Sequence, residues 1–135
     1  DKYKLSIFPN AIKDFFKSST DTLNYNFSTK SRSDYGTIKV RFENVANFPI
    51  IAQLTNEKEE IVQEKVLASY QDTCIFENIL PSKYFIRIID DANENKKWDT
   101  GSFLKRIKPE KIFHYEDELI VRANWILEEK INLSN

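Results

Sequence analysis

Side-chain oxygens recur at alternate positions in the run Asp91-Ala92-Asn93-Glu94-Asn95-Lys96-Lys97-Trp98-Asp99-Thr100-Gly101. Counted from Asp91, they fall on positions one, three, five and nine: Asp91, Asn93, Asn95 and Asp99. Loops that wrap a hard cation use this spacing, with the seventh position, here Lys97, offering its carbonyl. The chemistry open to these residues is coordination of Ca2+, or hydrogen bonding of the same oxygens to the loop's own amides. Position six is Lys96, where a calcium loop has glycine, and position twelve is Ser102, where it has a bidentate glutamate. Asp91 and Asp99 bring two formal charges, and Asp90 is placed to add a third. Both readings stand on the residues alone.

The loop needs a rigid support, and the apolar run Tyr84–Ile89 just before it reads as a strand. Period-two alternation recurs along the whole chain. Tyr3, Leu5 and Ile7 alternate with polar residues, then Pro9-Asn10 breaks the pattern. Ala11–Phe16 reads as a single helical turn or an irregular connector. Leu23, Tyr25 and Phe27 mark a second strand, and residues 29–35 a polar linker. Further strands are expected around Ile38–Phe42, Ile50–Leu54, Ile61–Val66 and Thr73–Phe76. Phe103–Ile107 and Lys111–Phe113 read as short strands flanking Pro109, and Leu119–Leu127 as one closing strand. Short strands with turn signals every eight to twelve residues predict an all-β chain, an antiparallel β-sandwich preceded by a β-hairpin.

Other candidate groups are weighed on the same basis. Trp98 either pins its loop onto the sheet or joins Phe103 and Tyr115 in an aromatic platform for a sugar ring. The acidic clusters Asp90-Asp91, Glu116-Asp117-Glu118 and Glu128-Glu129 sit at turns or chain ends, where carboxylates are solvated rather than facing across a cleft. Lys105, Arg106, Lys108 and Lys111 form one local basic cluster, which a strand would split between two faces. Cys74 is the only cysteine and has no disulfide partner within the chain. The lone His114 has no sequence partner for a triad or a zinc site. No nucleophile motif, CxxC pair or glycine-rich phosphate loop is present, and the chain has two glycines in all. The expectation is a protein without catalytic activity.

The 135 residues suffice for one domain with a sizeable core, or a domain and a fragment. Twenty basic side chains against 21 acidic ones give no global field that would favour nucleic acid or an acidic membrane. No apolar run approaches the roughly 20 residues of a transmembrane helix. Methionine is absent, which leads to the expectation of a chain processed or cut from a larger precursor.

Two regions resemble known families. Tyr3–Phe15, followed by Asp21-Thr22-Leu23-Asn24-Tyr25-Asn26-Phe27-Ser28-Thr29, resembles the final third of a bacterial Ig-like domain, with Lys17-Ser18-Ser19-Thr20 replacing the usual glycine-asparagine turn. Residues 36–130 resemble the prealbumin-like sandwich of carboxypeptidase regulatory domains. The residues that carry this likeness are Leu80-Pro81-Ser82-Lys83-Tyr84, Trp98-Asp99-Thr100-Gly101 and Val121-Arg122-Ala123-Asn124-Trp125. Ser82 and Lys96 stand where relatives often carry glycine. The resemblance implies residues 1–32 as the terminal hairpin of an Ig-like domain and 36–130 as a prealbumin-like sandwich. It also implies an extracytoplasmic location in the periplasm, outer membrane or cell surface of a Gram-negative cell, in a protein such as a lipoprotein. The implied role is a structural and protein-interaction module with a protein partner, without a small-molecule ligand. The alternatives are a carbohydrate-binding module and an accessory subunit of an outer-membrane assembly or transport complex.

Overall fold

A computed structural model describes residues 1–13, 15, 21–69 and 72–134. Apart from a 3-10 turn at Arg32–Asp34, every regular element among them is a β-strand. The chain divides into two compact units, Asp1–Ser31 and Arg32–Asn135.

In the first unit, β1 (Lys2–Ile7) and β2 (Leu23–Ser28) pair antiparallel, with Tyr3, Leu5 and Ile7 opposite Phe27, Tyr25 and Leu23. Because side chains alternate across a strand, these six apolar residues share one face. The Tyr3 and Phe27 rings stack on it with centroids 5.5 Å apart. The opposite face carries Lys4, Ser6, Asn24 and Asn26, where Ser6 Oγ donates to Asn24 Oδ1 at 2.7 Å. After β1, the Ala11 amide donates to the Phe8 carbonyl at 3.2 Å, closing a tight turn. The connector read at Ala11–Phe16 falls partly outside the described residues, and Lys17–Thr20 falls wholly outside them.

The second unit holds β3 (Gly36–Glu43), β4 (Ile50–Thr55), β5 (Ile61–Leu67), β6 (Cys74–Ile79), β7 (Lys83–Asp90), β8 (Ile112–His114), β9 (Leu119–Ile120) and β10 (Ile126–Asn132). One open sheet has the order β10-β3-β6; the other has the order β5-β4-β7-β8, with β9 also on β7. The alternation read from the sequence sets which residues are buried. Ile38, Val40 and Phe42 of β3, Ile50, Ala52 and Leu54 of β4, and Tyr84, Ile86 and Ile88 of β7 all enter one apolar cluster with Phe76 and Ile131. Both sheets therefore contribute to the same interior. β4 is buried along its whole length, because its other face also carries buried Ile51, Gln53 and Thr55. There Gln53 bridges its neighbours, accepting from Arg87 Nε at 2.5 Å and donating to Glu64 Oε2 at 2.5 Å.

The structure corrects three expectations. Pairing is not purely antiparallel: β10 runs parallel to β3, from Ile126 beside Thr37 to Asn132 beside Glu43. A parallel pair needs a long connection rather than a hairpin, and here most of the second unit supplies it. Leu119–Leu127 is not one strand. β9 pairs with the start of β7, the chain then turns at Ala123–Asn124, and β10 begins in the other sheet. Asn124 makes that turn at φ 54°, with its amide donating to the Tyr35 carbonyl at 2.9 Å. Phe103–Ile107 is a turn as well, closed by an isolated bridge between Ser102 and Ile107.

The crossover from β9 to β10 passes directly over Gly36. A Cβ there would lie 2.5 Å from Val121 Cγ1 and 2.6 Å from the Arg122 carbonyl oxygen. Glycine is required at that point because backbone from another segment occupies the space of a side chain. We predict that Gly36→Ala destabilises the second unit by about 1–3 kcal/mol, as overpacking does, measured as a lower midpoint in urea unfolding. Burial pushes the Cys74 thiol up to about 12, partly offset by the charge of Lys65. In the unfolded chain it ionises near 9.0, so the stability tied to the neutral thiol is complete below that pH and is lost as pH rises towards 12. Labelling of Cys74 by an aromatic disulfide at pH 8 should therefore proceed only at the rate of unfolding, and rapid stoichiometric labelling of the native protein would contradict this.

Candidate functional site

The residues singled out between Asp91 and Gly101 belong to the long connection from β7 to β8. Its root is closed where the Asp90 amide donates to the Lys111 carbonyl at 3.0 Å, and the Asp91 amide reaches the Pro49 carbonyl at 3.3 Å. Asp91 is buried. Its Oδ1 accepts from the Asn95 amide at 3.1 Å and its Oδ2 from the Lys96 amide at 2.9 Å. Asn93 Oδ1 accepts from the Asn95 amide at 3.0 Å, and Asn95 Oδ1 from the Lys97 amide at 2.8 Å. Asp99 Oδ2 accepts from the side-chain amides of Asn93 and Asn95.

This arrangement is a set of nested Asx turns. Both Asp91 oxygens and the side-chain oxygens of Asn93 and Asn95 accept backbone N–H groups, and the carboxamide nitrogens of Asn93 and Asn95 face Asp99. Among the described residues no three His, Cys, Asp or Glu side chains converge as a metal-binding group. The turn is sharp without glycine: Glu94 and Lys96 adopt φ 60° and 63°, in the left-handed region that disfavours a Cβ.

The distal half of the connection is held by a residue that the sequence did not single out. Glu110 Oε2 accepts from the Asp99 amide at 3.0 Å, while its own amide donates to the Asp99 carbonyl at 3.0 Å. Its carbonyl accepts from Trp98 Nε1 at 3.3 Å. Trp98 is thus tied to the returning limb ahead of β8 while its ring remains about half exposed. Pro109-Glu110 has no helical or strand period, so local pattern gives no sign of this clasp. Beyond it, Gly101 sits at φ 77°, where a Cβ would meet the Ile107 carbonyl oxygen at 2.6 Å and Pro109 N at 2.7 Å. The two limbs touch at this neck. Ser102 and Ile107 then exchange amide-to-carbonyl bonds of 2.9 and 3.0 Å, and Phe103–Arg106 forms the tip.

The three aromatic residues read as a platform are placed differently from one another. Phe103 is at the tip, almost wholly exposed, and Trp98 is at the clasp. Tyr115 follows β8, where its amide donates to the Ile86 carbonyl, and it packs against the apolar cluster. Its phenol is raised above the ordinary value, first by burial, then by Asp117 and Glu129. The structure joins Trp98 and Phe103 in one connection and seats Tyr115 beyond the far end of β8.

The acidic clusters also lie in separate places. Glu118 pairs with Lys83 at 2.9 Å beside β9, Glu128 pairs with Lys39 at 3.4 Å across β10 and β3, and Asp91 caps its loop. His114 is exposed at the end of β8, opposite Arg87. Comparison with known proteins finds no matching family model, no matching curated protein and no matching solved structure.

We predict that Asp91→Ala, which leaves the Asn95 and Lys96 amides without their acceptor, lowers stability by about 2 kcal/mol. A cation bound to the native loop would raise the melting midpoint by mass action. With its oxygens turned to amides, the loop should melt at one temperature in excess calcium and in excess chelator; a calcium-dependent rise that Asp91→Ala abolishes would make it a metal loop instead.

Proposed function

We propose that this chain is a non-catalytic structural and protein-interaction module of a bacterial cell-envelope protein. In this reading residues 1–32 form the terminal hairpin of an Ig-like domain. Residues 36–130 form a prealbumin-like β-sandwich. The shared apolar cluster of the two sheets supports the sandwich, and the quoted family-like motifs support an extracytoplasmic setting.

The interaction role rests on the face of the β1–β2 hairpin. Tyr3, Leu5, Leu23, Tyr25 and Phe27 lie on one side of a two-stranded sheet and remain exposed, Tyr25 by 57% and Phe27 by 55%. Such a pair of strands is marginal by itself in water, and gains stability when a further sheet covers its apolar side. Among the described residues β1 and β2 pair only with each other, so their outer edges offer backbone groups to an added strand. The partner that fits is a protein presenting an apolar sheet face or a free strand.

Site-specific photocrosslinking in the native cell envelope tests this. A crosslinker at Tyr25, on the apolar face, should give a discrete adduct with another protein, whereas one at Asn26, on the polar face, should give much less. Equal yields at the two positions, or none at Tyr25, would remove the observation on which the reading rests.

A further inference from the structure

The tip of the β7–β8 connection joins two properties that a folded surface normally keeps apart. Phe103 is 97% exposed and Leu104 94% exposed, so both side chains stand clear of the chain in all directions. Ile107 just behind them is also exposed. From Phe103 to Glu110 there are three cations, Lys105, Arg106 and Lys108, against the single carboxylate of Glu110. That carboxylate is turned inward to the Asp99 amide. The ion pairs found among the described residues join Lys39 to Glu128 and Lys83 to Glu118, and neither uses a cation of the tip. The projection is also built to hold its shape, through the Asp99–Glu110 clasp, the glycine neck and the Ser102–Ile107 bridge.

From this juxtaposition we propose that the tip docks on an anionic lipid surface, with Phe103 and Leu104 entering the interfacial layer and Lys105, Arg106 and Lys108 meeting lipid phosphates. Two side chains present roughly 400 Å² at most, about half of what one partner contributes to a stable protein–protein interface. A bilayer needs no such area, because apolar insertion and attraction to negative headgroups act together. Basic residues adjoining an apolar tip complement the order of layers in a membrane, phosphates outside and acyl chains within. Trp98, half exposed and farther back along the same projection, suits the interface where tryptophan is enriched. This surface uses none of the residues of the hairpin face invoked for a protein partner.

Co-sedimentation of the whole chain with phosphatidylcholine vesicles, with and without phosphatidylglycerol, tests the proposal. The protein should bind the phosphatidylglycerol vesicles, bind pure phosphatidylcholine at least tenfold more weakly, and lose binding as salt is added. Phe103→Ser with Leu104→Ser changes only exposed side chains, so its melting curve should match the parent while vesicle binding falls by tenfold or more. Lys105→Glu with Lys108→Glu should weaken binding at least as much, since each basic residue near such a surface is worth about a fivefold gain. Arg106 is left unchanged because it adopts φ 52° at the turn. Absence of binding to phosphatidylglycerol vesicles would overturn the proposal. So would undiminished binding by either double variant, or a dimer in solution that the Phe103/Leu104 change converts to monomer without any vesicle binding.

Discussion

One apolar cluster takes side chains from both sheets of the second unit, and the other features of residues 32–134 depend on it. Each sheet is open, and neither buries its apolar face without the other. Phe76, Ile38, Leu54, Ile86 and Ile131 are all fully buried within this shared interior. The requirement to close it explains why the chain leaves the five-stranded sheet after β9 and enters the other beside β3. It also explains why glycine stands at position 36, where that crossing brings the Val121 side chain and two backbone carbonyls against the first strand. The hydrophobic effect sets how much surface must be removed from water, but the single close approach at Gly36 sets how the last strand is fed into place.

The long β7–β8 connection follows a different logic. Its order comes from hydrogen bonds rather than apolar contact, beginning with a buried aspartate whose two oxygens hold two consecutive amides. A buried carboxylate is tolerable only when its acceptor sites are filled, and here the loop's own amides fill them. The left-handed conformations of Glu94 and Lys96 oppose this order, and the Asx bonds and the Asp99–Glu110 clasp offset them. A projection braced in this way can carry two apolar side chains in water without collapsing onto the sheet. The basic residues around it keep the surrounding surface soluble while giving it a charge opposite to that of a phosphate layer.

The first unit shows the converse. Its strands are regular, with every pair in register from Lys2–Ser28 to Ile7–Leu23, yet none of the apolar side chains on its face is buried. Backbone pairing alone contributes little net stability, because water would satisfy the same groups. The aromatic stacking of Tyr3 on Phe27 organises the face without covering it. An exposed, ordered apolar face of this kind has a direct physical use in assembly, which is the role proposed for it.

Local pattern in the sequence determined the all-β character, the positions of most strands and the alternation that selects core residues. These follow from the period of side chains along an extended backbone, which is visible within a single strand. The Asx loop was visible too, since Asp91, Asn93 and Asn95 act on amides only two to five residues away. What the oxygens of that loop face was decided by the fold. So were the clasp by Glu110 and the turn at Phe103–Arg106, where the sequence suggested a short strand. The parallel pairing of β10 with β3 joins residues such as Lys39 and Glu128, 89 positions apart. No local period encodes a partner at that distance, because the choice depends on how two sheets close over one interior rather than on the strand's own sequence.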